Sequence, residues 1–186
     1  MNKQPEVTAQ TRQNLIDAFW EIYTEKRIEK ITVKEITAKA GYNRGTYEYF
    51  TDVYHLLDEI ENALIPTVDE LPAYSTSTGD RLGVPLDSFL QLYEHHNKYY
   101  SVLLGAKGDP AFSAKLKNQI KASLTEHFKE NIQDAQEFDY TLEYVLSAMV
   151  GIMSYWFSKE QEISKERLMS LIRNLSEQGI RAILPL

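Results

Sequence analysis

At 186 residues, 43% hydrophobic and 25% charged, the chain has the composition of a folded globular protein, with room for one ordinary domain or one core plus a satellite of about 50 residues. It has no cysteine, which excludes disulfides, thiolate metal sites and cysteine nucleophiles; no apolar run approaches the roughly 18 residues a membrane span requires, and the opening MNKQPEVTAQ has no signal-peptide core, so a cytoplasmic protein without a membrane partner is expected. The formal charge of −7 is unevenly spread: residues 1–50 carry eight Lys or Arg against seven Asp or Glu, residues 51–186 twelve against twenty, so the N-terminal segment is the one suited to approach phosphates.

Between Thr11 and about Lys26, Leu15, Ile16, Phe19, Ile22 and Tyr23 fall on one helical face and predict a first helix. Thr32-Val33-Lys34-Glu35 has the spacing of a capping box, in which the Thr hydroxyl and the Glu carboxylate satisfy each other's backbone N–H groups; a short second helix follows, with Val33, Ile36 and Ala40 inward and Gly41 as its left-handed stop. Asn43 caps a third short helix, Arg44 to Phe50, and the Gly41-Tyr42-Asn43 link forces the two to cross sharply. Thr51 or Asp52 starts a connecting helix over 52–64, with Val53, Leu56, Leu57, Ile60 and Leu64 as its stripe and Pro66 as its end.

From Pro66 to Pro85 the chain is turn chemistry, read as an exposed loop. Helical patterning resumes at Leu86, Phe89, Leu90 and Tyr93 and breaks at Gly105 to Gly108. Asp109-Pro110 opens a helix with Phe112, Leu116, Ile120, Leu124 and Phe128 every four residues; two more helices, about Glu137 to Lys159 and Ser164 to about Ile183, close the chain. No strand pattern appears. The expected fold is all-α with about nine helices: an N-terminal three-helix head over 8–50 and a larger C-terminal domain over 51–186.

The stretch ITVKEITAKAGYNRGTYEYF carries the functional signal. A capped short helix, a Gly turn and a second short helix exposing Arg, Thr and Tyr suit entry into the major groove of operator DNA, with Arg bonding guanine and hydroxyls and amides binding phosphates. Thr32, Val33, Ile36, Ala40, Gly41, Asn43, Arg44, Gly45, Thr46, Tyr47, Tyr49 and Phe50 match in order the helix-turn-helix motif of the TetR family of bacterial regulators, which the chain resembles. The match departs in two places: four residues follow Gly45-Thr46 up to and including Phe50 where the family has five, and Val53 stands where it commonly has Lys. The resemblance implies a helix-turn-helix DNA-binding head, with Thr32, Lys34, Asn43, Arg44, Gly45, Thr46, Tyr47 and Tyr49 toward double-stranded operator DNA. Because a deletion turns the residues after it by about 100°, only one of Tyr47 and Tyr49 is expected to stay on the DNA side.

In the C-terminal half, Ser147, Ala148, Gly151 and Ser154 interrupt a helix otherwise built of large residues, which lets another helix come close; the last helix offers Leu168, Leu171, Leu175 and Ile183. These faces fit an intramolecular core or, as the resemblance implies, a homodimer. Tyr93, His96, Tyr100, Met149, Met153 and Trp156 combine aromatic walls with a few polar tips and fit either a core or a pocket for a small-molecule inducer. His95-His96 diverge by about 100° on a helix and do not converge on a metal; no cofactor is implied. The expected function is a transcriptional repressor, not an enzyme; no Gly-x-Ser-x-Gly or metal-ligand spacing supports a hydrolase, and a protein-interaction module of the same fold is the alternative.

Overall fold

The computed structural model describes residues 5–66, 86–105, 108–130 and 132–178. They form seven α-helices and two 3₁₀ helices, with no strand among the described residues: α1 (Pro5–Glu25), a 3₁₀ turn (Ile28–Lys30), α2 (Val33–Lys39), the 3₁₀ helix Arg44–Tyr49, α3 (Val53–Leu64), α4 (Leu86–Leu103), α5 (Pro110–Phe128), α6 (Ala135–Ser158) and α7 (Lys165–Gln178). The chain divides into two compact units, one ending at Leu64 and the other beginning at Ile65, so α3 clusters with the N-terminal unit although a boundary at 50/51 was expected. The loop expected over 66–85 lies, apart from Pro66, outside the described residues, as does Ile183.

In the N-terminal unit, α1 starts six residues before the periodic pattern does, at a proline whose fixed φ suits a first turn. Its Leu15, Phe19, Ile22 and Tyr23 are buried, with Ala18 and Trp20 beside them. Each such side chain taken from water contributes about 1.5–3 kcal/mol to the core around α1. The α3 stripe Leu56, Leu57, Ile60 and Leu64 is buried as its spacing requires, and the carboxylate-bearing Glu61 is buried as well.

In the C-terminal unit, α5 presents Phe112, Leu116, Ile120 and Leu124 inward at every fourth position. It packs on α6, and Lys117–Glu143 (2.5 Å) and Lys121–Asp139 (2.7 Å) span the same pair. The N-caps are the aspartates the sequence offers: Asp109 accepts from the Ala111 N–H (2.8 Å) and Asp134 from those of Gln136 and Glu137 (2.8 and 3.0 Å). Helix α4 breaks its own regularity at His96 (φ −120°, ψ 22°), and a Cβ on Gly108 would lie 1.8 Å from the Leu103 carbonyl oxygen, which is why the α4–α5 link needs glycine there.

Candidate nucleic-acid interface

The helix-turn-helix is fixed by backbone chemistry at both ends of α2. Thr32 Oγ1 accepts from the Glu35 N–H (3.3 Å) while Glu35 Oε2 accepts from the Thr32 N–H (3.2 Å), a complete capping box. Glu35 is held below the usual carboxylate range first by its bond to Lys26 Nζ (2.5 Å), with Thr32 adding to it. At the other end the Tyr42 N–H reaches the Thr37 carbonyl (2.8 Å) and the Gly41 N–H that of Ala38 (3.2 Å), the paired bonds of a Schellman stop, with Gly41 at φ +77°. The Tyr42 hydroxyl accepts from Asn14 Nδ2 (2.8 Å), tying the turn to α1.

The next segment is not an α-helix. Arg44–Tyr49 winds as a 3₁₀ helix, in which residues three apart eclipse. Tyr47 and Phe50 share one stripe and are buried with their rings 5.6 Å apart; Thr46 and Tyr49 are half-buried; Gly45 and Glu48 are exposed, with Arg44 exposed at the start. Asn43 precedes the helix in extended backbone but its side chain makes no cap bond. Tyr47 does not face outward as expected: it is 4% exposed, its hydroxyl donates to the Asp52 carbonyl (3.1 Å), and burial pushes its ionisation far above the phenol range, so it stays neutral and holds the helix to the unit. Of the two tyrosines, Tyr49 is the one left with access to solvent.

Thr32 and Lys34 stand exposed at the start of α2, and Asn43, Arg44 and Gly45 at the start of the 3₁₀ helix that packs against it. Lys26 and Lys39 are tied to Glu35 and Glu21. Lys34 and Arg44 enter no ion pair among the described residues, nor do the exposed Arg27 and Lys30. Sequence spacing missed one cluster at the end of the 3₁₀ helix: Arg12 pairs with Glu59, lies over the Phe50 ring (5.5 Å), and meets through Glu59 the imidazole of His55. The signal that would have found half of it is Asp52-x-x-His55, a capping spacing; Arg12 lies too far away in sequence for any local pattern.

The residues expected to line a ligand pocket fall on α4 and α6, which pack together. Met149, Met153 and Trp156 form one buried stripe, Trp156 donating to the Ile163 carbonyl (2.8 Å); Tyr100 is buried against Phe112 (5.5 Å) and His96 is half-buried at the kink, while the Tyr93 side chain lies outside the described residues. None of them lines the groove of about 450 Å³ formed by Phe128, Ile132, Gln133, Asp134, Glu137, Phe138 and Thr141. Of the residues expected at a dimer interface, Ser147 and Gly151 are exposed, Ser154, Leu171 and Leu175 half-buried. Leu168 belongs instead to the unit's own core, 2% exposed in the single protomer. One outward face of α6 joins Tyr140, Tyr144, Ser147, Ala148, Gly151 and Tyr155, the three tyrosines between 64% and 77% exposed.

An all-helical chain of two units, with a capped helix and a glycine stop leading into a short second helix, has the architecture of a helix-turn-helix regulator. The family model described as a transcriptional regulator C-terminal region, of the TetR type, matches residues 86–178, half of the chain. The fold is similar to that of the fatty acid degradation regulator FadR of Bacillus halodurans, over 97% of this chain and 99% of that one (TM-score 0.67, 17% identity). It is also similar to a TetR transcriptional regulator of Streptococcus agalactiae 2603V (93% and 97% covered, TM-score 0.67, 18% identity) and to the dihydroxyacetone kinase operon activator DhaS (92% and 96% covered, TM-score 0.58, 20% identity). No curated protein sequence matches the chain. The chain belongs to the TetR family of transcriptional regulators, whose members regulate transcription rather than catalyse reactions. No helix among the described residues is long and apolar enough to cross a membrane.

Proposed function

We propose that the chain acts as a homodimeric repressor that grips operator DNA with α2 and the 3₁₀ helix of each protomer and releases it when a small molecule binds the C-terminal unit. The observation that carries this reading is the pairing of a rigidly closed α2 with exposed, unpaired cations at both helix starts, Lys34 and Arg44. Thr32, Asn43, Gly45, Thr46 and Tyr49 supply hydroxyls, an amide and a close-approach point beside them; phosphate contacts then set position and Arg44 reads a base edge. A second copy seated on the α6 face that includes Gly151, and on the half-buried Leu171 and Leu175 of α7, would give two heads that reach successive major grooves about 34–36 Å apart.

Release requires that the inducer prefer the dimer whose heads are wrongly spaced. The Tyr100, Met149, Met153 and Trp156 surfaces, with His96 at the α4 kink and Tyr93 one turn earlier in the sequence, are where an apolar inducer would insert, and α3 is the segment of chain through which the heads would feel it. The test is a gel shift and footprint on duplexes flanking the chain's own gene. A two-fold protected site supports the repressor, whereas no protection on any duplex, with a stable dimer, favours an interaction module of the same fold.

A further inference from the structure

The start of α3 is capped in an unusual way. Asp52 Oδ1 accepts the N–H of His55 (2.8 Å), and in return His55 Nδ1 accepts the N–H of Thr51 (3.1 Å). This is the reciprocal logic of a capping box, with imidazole in the place that Glu or Gln ordinarily takes and its reach extended by one residue. The difference is chemical. A carboxylate or amide oxygen accepts at any physiological pH, but an imidazole nitrogen accepts only while it carries no proton.

While that bond is made, Nδ1 carries no proton and the ring's own proton sits on Nε2, which lies 3.4 Å from Glu59 Oε1. Glu59 also pairs with Arg12 of α1, the Arg12 guanidinium covers Phe50, and Phe50 meets the His55 ring edge-on at 6.1 Å. Thr51 is the residue directly after Phe50, the cap of the 3₁₀ helix. One imidazole thus stands between the end of that helix, the start of α3 and an ion pair to α1.

We propose that His55 is a positioning residue for DNA reading: its neutral Nδ1 anchors the Phe50–Thr51 junction, and its protonation releases that junction. Once charged, Nδ1 carries a hydrogen facing the Thr51 N–H, two donors where a bond had been. Glu59 and Asp52 attract the imidazolium and Arg12 repels it, and the contact with Glu59 draws the ring from the cap. The effect on DNA rests on the reading of the 3₁₀ helix as the DNA-facing element; the effect on Thr51 does not.

The experiment uses the full-length chain between about pH 7.5 and about pH 5.5, where imidazoles take up their proton. Without DNA, nitrogen chemical shifts follow the His55 ring while amide exchange follows Thr51 and Tyr47 to Phe50. The expected result is a loss of Thr51 protection, beyond the intrinsic pH effect, by about three- to tenfold as the ring charges, the range that removal of one hydrogen bond produces. His55→Asn places a non-titrating oxygen near the Nδ1 position and is expected to keep protection at both ends. With a duplex selected from a random-sequence pool, wild-type affinity falls on acidification by a similar factor more than that of H55N. Thr51 protection that ignores ring protonation overturns the proposal, and so do equal pH responses of the two proteins on DNA. A pool that yields no bound duplex refutes the DNA-binding reading and leaves the wild-type ring and amide measurements to decide the role of His55.

Discussion

Gly41 gives the sharpest test of how α2 is aimed. Its φ of +77° is closed to most side chains, yet a Cβ built there has no heavy atom within 4 Å. The cost of Gly41→Ala is therefore purely conformational: about 1–2 kcal/mol for holding an L-residue left-handed, offset by about 0.4–1 kcal/mol because Ala also restricts the unfolded chain, for a net loss of about 1 kcal/mol. Gly41→Asn should cost clearly less, since Asn tolerates this region. With Trp156→Phe as background, Trp20 becomes the single tryptophan of a chain that has two, and being 1% exposed it reports the N-terminal unit alone. Thermal unfolding followed by its fluorescence should show Ala lowering the midpoint by about 4–8 °C, the shift about 1 kcal/mol gives a unit of this size. If Asn costs as much as Ala, or Ala costs nothing, the stop is set by contacts rather than by backbone conformation.

Thr32→Ala removes the acceptor for the Glu35 N–H and should cost about 1 kcal/mol in the same assay, with Thr32→Ser restoring most of it. Gly151→Leu meets open space within the chain, so it should leave the isolated protomer's fold intact while overpacking a dimer contact by about 1–3 kcal/mol; sedimentation at micromolar concentration should show dissociation, and an unshifted dimer would remove α6 from the interface. DNA affinity should fall on a log–log plot against salt by about 0.9 per phosphate neutralised, and Lys34→Ala should reduce that slope by about 1 for each phosphate its ammonium neutralises; a flat response argues for the interaction module. Glu48→Gln removes a carboxylate from the exposed stripe of the 3₁₀ helix and should tighten binding to any duplex in fluorescence anisotropy, most at low salt, whereas loss confined to one base-pair position would reveal a cytosine contact and no change would turn that stripe away from DNA.

What the sequence made legible was local. Thr32 and Glu35 at capping distance, Gly41 at a helix end, Asp109 before Pro110 and the four-residue recurrence from Phe112 to Leu124 each encode structure within a turn or two, and each appears in place. That Tyr47 rather than Tyr49 lies inward is not legible for a related reason: exposure is decided by stripes, and an α-period of 3.6 assigns different stripes from a 3₁₀ period of 3. Leu168 and Met149 show the same limit one level up, because a pattern marks a residue as apolar but cannot say whether its own core, a ligand or a second protomer covers it. The Arg12–Glu59–His55 cluster was invisible because its members come from elements that only the fold brings together.

The 3₁₀ winding also accounts for the short spacing between Gly45-Thr46 and Phe50. Five α-helical residues advance about 7.5 Å and turn about 500°, whereas four 3₁₀ residues advance about 8 Å and turn about 480°. A segment one residue short thus reaches nearly the same height with its end rotated by only about 20°, which fits Phe50 still docking, 4% exposed, under Arg12 and beside His55. The compensation has a consequence for chemistry. The poorer hydrogen bonds of a 3₁₀ helix hold the segment less firmly than an α-helix would, so its position depends on what grips its far end: the Tyr47 hydroxyl on the Asp52 carbonyl, the Phe50 ring beneath Arg12, and the Thr51 N–H on His55. The aim of the shortened helix therefore rests on those three contacts, and of the three only the one to His55 relies on an imidazole nitrogen that must carry no proton to accept.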